Sequence, residues 1–154
     1  MRRFKVSYLI LLTVVLCVCC NSTQSTTVTE VRDGDTIVLS SGMVVRFKHI
    51  DAPEYDQPWG DKATEFVSMY ALNKKVILKC YGKDKYGRTL AEVILPNGRV
   101  LNELLVFKGL AWHYRRYSRN RHYRLLEADA RRCKRGIWSD STAIPPWEWR
   151  RGWR

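Results

Sequence analysis

The sequence predicts one mostly-β domain carrying α-helices, on three observations: its length, a set of short segments with strand character, and three stretches with helical spacing. A chain of 154 residues builds one hydrophobic core and is too short for two. Thr36 to Leu39, Met43 to Ile50, Lys75 to Tyr81 and Thr89 to Leu95 are rich in Val, Ile and Leu and are bounded by turn residues. Helical spacing marks Ala63, Phe66, Val67 and Tyr70, then Leu101 to Lys108, then about Tyr123 to Lys134.

Residues 1–22 read as a signal peptide, because Arg2, Arg3 and Lys5 precede an apolar run from Val6 to Val18 that is too short to span a bilayer comfortably. Leu16-Cys17-Val18-Cys19 has a faint likeness to a lipoprotein cleavage box, but Val18 stands where a small residue is wanted. An exported protein, secreted or periplasmic, is therefore the preferred expectation, with a lipid-anchored envelope form as the alternative. Residues 23–27 read as a polar linker, 28–140 as the folded domain and 141–154 as an aromatic, basic tail. Cys17, Cys19 and Cys20 lie within or beside the signal. Cys80 and Cys133 remain, enough for one disulfide or two separately buried thiols. His49, His113 and His122 show no metal-ligand spacing.

The first two extended segments carry the chemistry. Ser41-Gly42 supplies a tight turn between them, Asp35 opens the first and Asp51 closes the second. An antiparallel return brings the two carboxylates to one end of the sheet, where they can share a hard cation, and Arg46 projects between them. Asp33-Gly34-Asp35 alone is an ordinary turn. The spaced acids and final bidentate Glu of an EF-hand loop are missing, so any cation site must be assembled across strands. Asp51-Ala52-Pro53-Glu54 adds a second acidic cluster, in which Pro53 fixes where Glu54 points relative to Asp51.

Further along, Asp61 is placed to cap the first helix and Asn73 to close it, Gly109 stops the second helix and Gly136 the third. A formal net charge of +12 with a pI near 9.8 calls for an anionic partner, nucleic acid or a membrane surface. The stretch Trp112 to Arg124, WHYRRYSRNRHYR, interleaves tyrosine and arginine in a way no apolar core accommodates, and suits bases and phosphates. Its alternative is a solvated basic loop whose tyrosines partly cover the core. The tail, PPWEWRRGWR, either folds back on the domain or follows a bound strand.

Taken in order, VRDGDT, RFKHIDAPE, DKYGRTLAEV, LNELLVFKGLAWHY and GIWS resemble the motifs of the staphylococcal nuclease family over about residues 28 to 140. Each motif is weak alone; five in order are specific. The resemblance implies a five-stranded OB-fold Greek-key β-barrel with three α-helices. It also implies a calcium-dependent nuclease that hydrolyses phosphodiester bonds of DNA and RNA and leaves 3′-phosphate ends. Single strands are the preferred substrate, and the expected enzyme is a monomer with no stable protein partner. A noncatalytic nucleic-acid-binding barrel is the alternative. Calcium falls on the carboxylates of Asp35 and Asp51 and on the backbone carbonyl of Ala52, which stands where the best-known member has threonine. Glu54 takes the position of the family's general base or water-orienting glutamate, and Arg46 and Arg88 the positions of its phosphate-clamping pair. Lys85, Tyr86, Tyr114 and Tyr117 fall at or near nucleotide-contacting positions, with Tyr114 and Tyr117 as rivals for one stacking role.

Overall fold

A computed structural model describes residues 25–152; the signal-peptide reading of residues 1–22 and the start of the linker lie outside the described residues. In chain order the elements are β1 (Ser25–Asp33), β2 (Thr36–Leu39), β3 (Val44–Phe47), β4 (Ile50–Asp51), α1 (Gly60–Ala71), β5 (Lys75–Lys83) and β6 (Thr89–Ile94). Then follow α2 (Leu101–Phe107), β7 (Trp112–His113), α3 (Arg121–Arg132), a 3-10 turn (Gly136–Ser139) and the single helical turn α4 (Pro146–Trp149). The strands β1-β2-β3-β6-β5 close into a barrel, antiparallel throughout except where β3 runs parallel to β6. With α1 and α2 packed on it and α3 packed on α2 and β7, this is the five-stranded barrel with three substantial helices that the resemblance implies.

Four local readings change. β1 takes in Ser25 to Thr27, where composition reads as linker, because these residues pair with Ile77, Val76 and Lys75 and seal the barrel seam. The segment Met43 to Ile50 is not one strand: His49 adopts the left-handed region at φ 76°, and the chain leaves the barrel there. β4 then pairs with β7, Ile50 opposite His113 and Asp51 opposite Trp112. Asp61 does not cap α1; the cap position is Trp59, at φ 76° with no side-chain cap bond, and Asp61 accepts from the Lys62 N–H in the first turn. Cys80 and Cys133 are both free and exposed, so neither a disulfide nor a pair of buried thiols forms.

The Trp112 to Arg124 stretch is not wholly outside the core either. Trp112, His113 and Tyr123 are buried while the arginines between them face solvent, because β7 is clamped between β4 and α3. Tyr123 anchors α3 to the barrel: its hydroxyl donates to Glu92 Oε1 at 2.7 Å, and Tyr81 donates to Oε2 of the same carboxylate at 2.7 Å. Burial acts to raise the Glu92 carboxyl, yet the hydrogen bonds from Tyr81 and Tyr123 hold it below the ordinary range. Tyr123→Phe strips one donor from this buried carboxylate and should lower stability by about 1.5 to 3 kcal/mol. A thermal melt that leaves the variant within a degree of the parent would refute this anchoring role.

Ser118 Oγ lies 2.9 Å from His49 Nδ1 and 3.0 Å from His113 Nε2, so one hydroxyl pins the 113–118 loop to the turn after β3. A hydroxyl can accept from one neutral imidazole and donate to the other. Burial pulls both rings below the ordinary histidine range, with Glu127 opposing and Arg115 and Arg124 reinforcing the shift at His113. At His49 the opposing charge is Glu92, and Lys48, Lys79 and His113 reinforce the shift. Below about pH 6.5 the unfolded chain therefore binds protons that the folded chain refuses. Stability present above that pH is lost as pH falls. The drop in melting temperature from pH 7.5 to pH 5 should shrink in His113→Gln; an unchanged drop would assign it to other groups.

Candidate active site

The acidic corner begins at the turn between β1 and β2. Asp33 Oδ1 accepts from the Asp35 N–H at 2.9 Å, which shapes the turn and leaves the second carboxylate facing inward. Gly34 is demanded by close approach, since a Cβ there would sit 2.7 Å from that of Ala63 on α1 and 2.8 Å from that of Ala52. The β2–β3 register sets Thr36 opposite Arg46, so Asp35 is carried to the Arg46 guanidinium. Arg46 Nη2 contacts Asp35 Oδ2 at 2.9 Å and Asp51 Oδ1 at 2.6 Å. Its Nη1 donates to the carbonyls of Phe47 and Ile50 at 3.0 and 3.1 Å, which fixes the fork.

Both carboxylates are buried, Asp51 to 1% and Asp35 to 7% side-chain exposure. Asp35 also accepts from the Ala52 N–H at 2.7 Å and from Thr36 Oγ1 at 3.2 Å. Burial pushes the Asp35 carboxyl up, against the pull of Arg46. Glu54 is set by the start of α1. Gln57 N donates to its carbonyl at 3.0 Å, Gln57 Oε1 accepts from its N–H at 3.1 Å, and a Cβ on Gly60 would strike the same carbonyl at 1.9 Å.

The opposite wall is the loop between β5 and β6. Asp84 Oδ1 accepts from the N–H groups of Tyr86 and Arg88 at 2.9 and 3.0 Å, and Oδ2 from Arg88 Nε at 2.7 Å. This holds the Arg88 side chain by Nε, while its two Nη groups make no protein hydrogen bond among the described residues. The two walls enclose a cavity of about 740 Å³ lined by Asp35, Arg46, Asp51, Ala52, Glu54, Lys85, Tyr86, Arg88, Tyr114 and Tyr117. Every residue marked in the sequence is thus brought to one place. The rival tyrosines differ: Tyr114 stacks in parallel on Trp147 at 5.5 Å and 7°, whereas Tyr117, edge-on to Tyr114 at 4.9 Å, is 61% exposed.

Among the described residues, no three His, Cys, Asp or Glu side chains are grouped as a metal cluster. The pattern read from the sequence asks for less: two carboxylates and a main-chain carbonyl, with other oxygens completing the shell. The fit is carried by Arg46 Nη2, which shows that Asp35 and Asp51 converge on a single positive charge. The hard oxygen donors suit calcium or another hard cation rather than a softer metal.

Sequence reasoning missed Arg150 and Trp147. The tail folds back, and Arg150 Nη2 reaches Asp51 Oδ2 at 2.7 Å while Nη1 bonds Glu54 Oε1. Gln57 Nε2 donates to the Ile144 carbonyl at 2.6 Å, and Trp149 Nε1 to Asp56 Oδ1 at 3.1 Å. No local signal could have located these contacts, which join residues 87 to 99 positions apart. The one hint is the stiff Pro145-Pro146 pair at the start of α4, suited to a chain reversal more than to a flexible extension.

The matching family model is that of staphylococcal nuclease homologues, over residues 44–140. An uncharacterized endonuclease of Escherichia coli O157:H7 is 40% identical over 126 residues, which cover 80% of this chain and 82% of that protein. An uncharacterized endonuclease of Haemophilus influenzae is 35% identical over 154 residues, covering 97% of this chain and 86% of that protein. A micrococcal nuclease of Shigella flexneri is 36% identical over 137 residues, covering 80% of this chain and 79% of that protein. With these matches and a closed five-strand barrel bearing the acidic corner on its rim, the chain belongs to the staphylococcal nuclease family.

Proposed function

We propose that the protein is an exported, calcium-dependent nuclease that hydrolyses phosphodiester bonds of DNA and RNA, prefers single strands, acts as a monomer and leaves 3′-phosphate ends. The observation that carries this reading is the meeting of Asp35, Asp51, Glu54, Arg46 and Arg88 in one cavity beside Tyr86, Tyr114 and Tyr117. The basic, apolar N-terminal segment supports export.

Asp35, Asp51 and the Ala52 carbonyl would hold calcium, which neutralises charge on the scissile phosphate and polarises it. Glu54 is 36% exposed on its side chain, so water reaches it. Its carboxylate accepts the proton of the attacking water as that oxygen bonds to phosphorus. Arg88, braced through Nε, directs its two Nη donors at the phosphate oxygens, where negative charge grows as the bond to the 5′ oxygen breaks. Lys85 adds a positive charge beside them. The exposed rings of Tyr86 and Tyr117 offer faces for unpaired bases, which favours single strands without demanding a sequence.

Incubating the protein with single-stranded DNA in calcium, in magnesium and in chelator, then identifying the ends, tests this reading. Cutting in calcium with 3′-phosphate ends is expected. Equal turnover in magnesium alone, or binding without cutting in any condition, would overturn it, the latter in favour of a noncatalytic barrel.

Arg88→Lys tests the clamp. A lysine keeps the charge but has no rigid fork, so it cannot stay on Asp84 through one nitrogen while presenting two others. Turnover should fall roughly a hundredfold or more, the scale of one lost preorganised donor, while substrate affinity changes much less. If Arg88 only anchored its loop on Asp84, turnover would stay within about threefold of the parent at equal stability.

A further inference from the structure

The segment 141–152 takes no part in the closed barrel, yet it lies across the acidic corner and is held there at three points. Its Ile144 carbonyl accepts from Gln57, the buried side chain that also braces the Glu54 N–H. The Trp147 ring covers one face of Tyr114, and Trp149 Nε1 donates to Asp56. Between the last two contacts and the chain's end, α4 projects Arg150 onto Asp51 and Glu54.

The consequence for Asp51 is specific. Its Oδ1 accepts from Arg46 at 2.6 Å, and its Oδ2 from Arg150 at 2.7 Å. Both oxygens of the carboxylate assigned to the cation are therefore engaged by guanidinium, and Glu54 is bound by the same Arg150 fork. A divalent cation taking an oxygen of Asp51 must share it with Arg150 or displace it, and two positive charges this close repel. Arg46 differs in being fixed from within the barrel by two carbonyls, whereas Arg150 reaches the acids from a surface strap and is 42% exposed. Of the two guanidiniums, Arg150 is the more easily displaced, although a cation shared by Asp35 and Asp51 must also shift Arg46 Nη2 from the point where they converge.

Resting on the reading of Asp51 as a cation ligand, we propose that Arg150 is a built-in counter-ion for the acidic corner, exchanged for the divalent cation when that ion binds. The strap holds the guanidinium near its carboxylates at high local concentration, so the cation must compete with a tethered rival. The affinity of the site for calcium is then its intrinsic affinity reduced by the fraction of time the strap is open. Arg150 thereby sets the calcium concentration at which the corner fills. A merely structural Arg150 would steady the corner, and its loss would weaken calcium binding or leave it alone.

Calorimetric titration of calcium chloride into the full chain, without nucleic acid, measures this directly. Arg150→Ala should bind calcium about tenfold more tightly, as expected when a site closed for roughly nine-tenths of the time is freed. Arg151→Ala removes the same charge one residue along. Arg151 makes no ion pair among the described residues, so this variant should move the affinity by less than about twofold at physiological salt, where exposed charges are screened. Trp147→Ala, which loosens the strap without touching the acids, should tighten binding in the same direction as Arg150→Ala. Equal affinity in the parent and in Arg150→Ala, weaker binding in that variant, or equal gains from Arg150→Ala and Arg151→Ala would overturn the exchange while leaving the calcium site standing. Heat absent from every titration would overturn the cation site and the exchange with it.

Discussion

Two buried carboxylates held against one guanidinium are the constraint on which the rest of this molecule depends. Asp35 comes from the turn between β1 and β2 and Asp51 from β4, and Arg46 is braced between them by two carbonyls. Burying anions is costly, and removing one partner of such a set typically costs about 3 to 5 kcal/mol because a charge is left uncompensated. The arrangement therefore survives only if the β2–β3 register, the left-handed turn at His49 and the β4–β7 pairing all hold together. A one-residue slip of β2 against β3 would turn Arg46 to the other face and leave both acids unpaired. The barrel fixes the chemistry's position because a closed sheet has no edge along which to slip.

Helix α1 supplies the floor. Gly34 lets Ala63 approach the acidic turn, and Gly60 lets the helix begin against the Glu54 carbonyl. On the far side, Asn102 at the start of α2 accepts from the Val93 N–H and donates to the carbonyls of Lys48 and Ala91. That one buried amide ties the β3 exit, where the chain turns toward Asp51, to β6. The site is thus supported by small contacts and satisfied polar groups rather than by large apolar side chains. This is the arrangement expected where position must be held to a fraction of an ångström.

Much of this was legible in the sequence because it rests on local rules. The strand Thr36 to Leu39 and the onset of the helix at Leu101 agree with the structure to the residue, and turn chemistry placed the breaks between β5 and β6. The acids were legible as a pair because the β2–β3 hairpin returns the chain to the end where Asp35 sits, although Asp51 lies beyond the hairpin, on β4. The break after Phe47 was not, since a histidine at positive φ gives no compositional warning and is stabilised by Ser118, distant in sequence. The burial of Trp112, His113 and Tyr123 was hidden by the arginines around them: a two-residue strand has too few positions to display a period, and Tyr123 is drawn inward by Glu92. The missed Asp61 cap has the same origin, because the Glu54–Gln57–Gly60 contacts decide where α1 begins.

The charge distribution gives the strap its significance. Outside the corner the chain is strongly basic, a surface that attracts polyanions from a distance and loses that pull as salt rises. Inside the corner three carboxylates stand close enough to be joined by two arginines. A bare acidic corner would repel the phosphate that the surrounding charge draws in, so the site is competent to receive an anion only while its acids are neutralised. Arg46 answers part of that need from within the barrel. Arg150 answers the rest from a segment that can be withdrawn, which keeps the corner neutral without committing its oxygens permanently to protein.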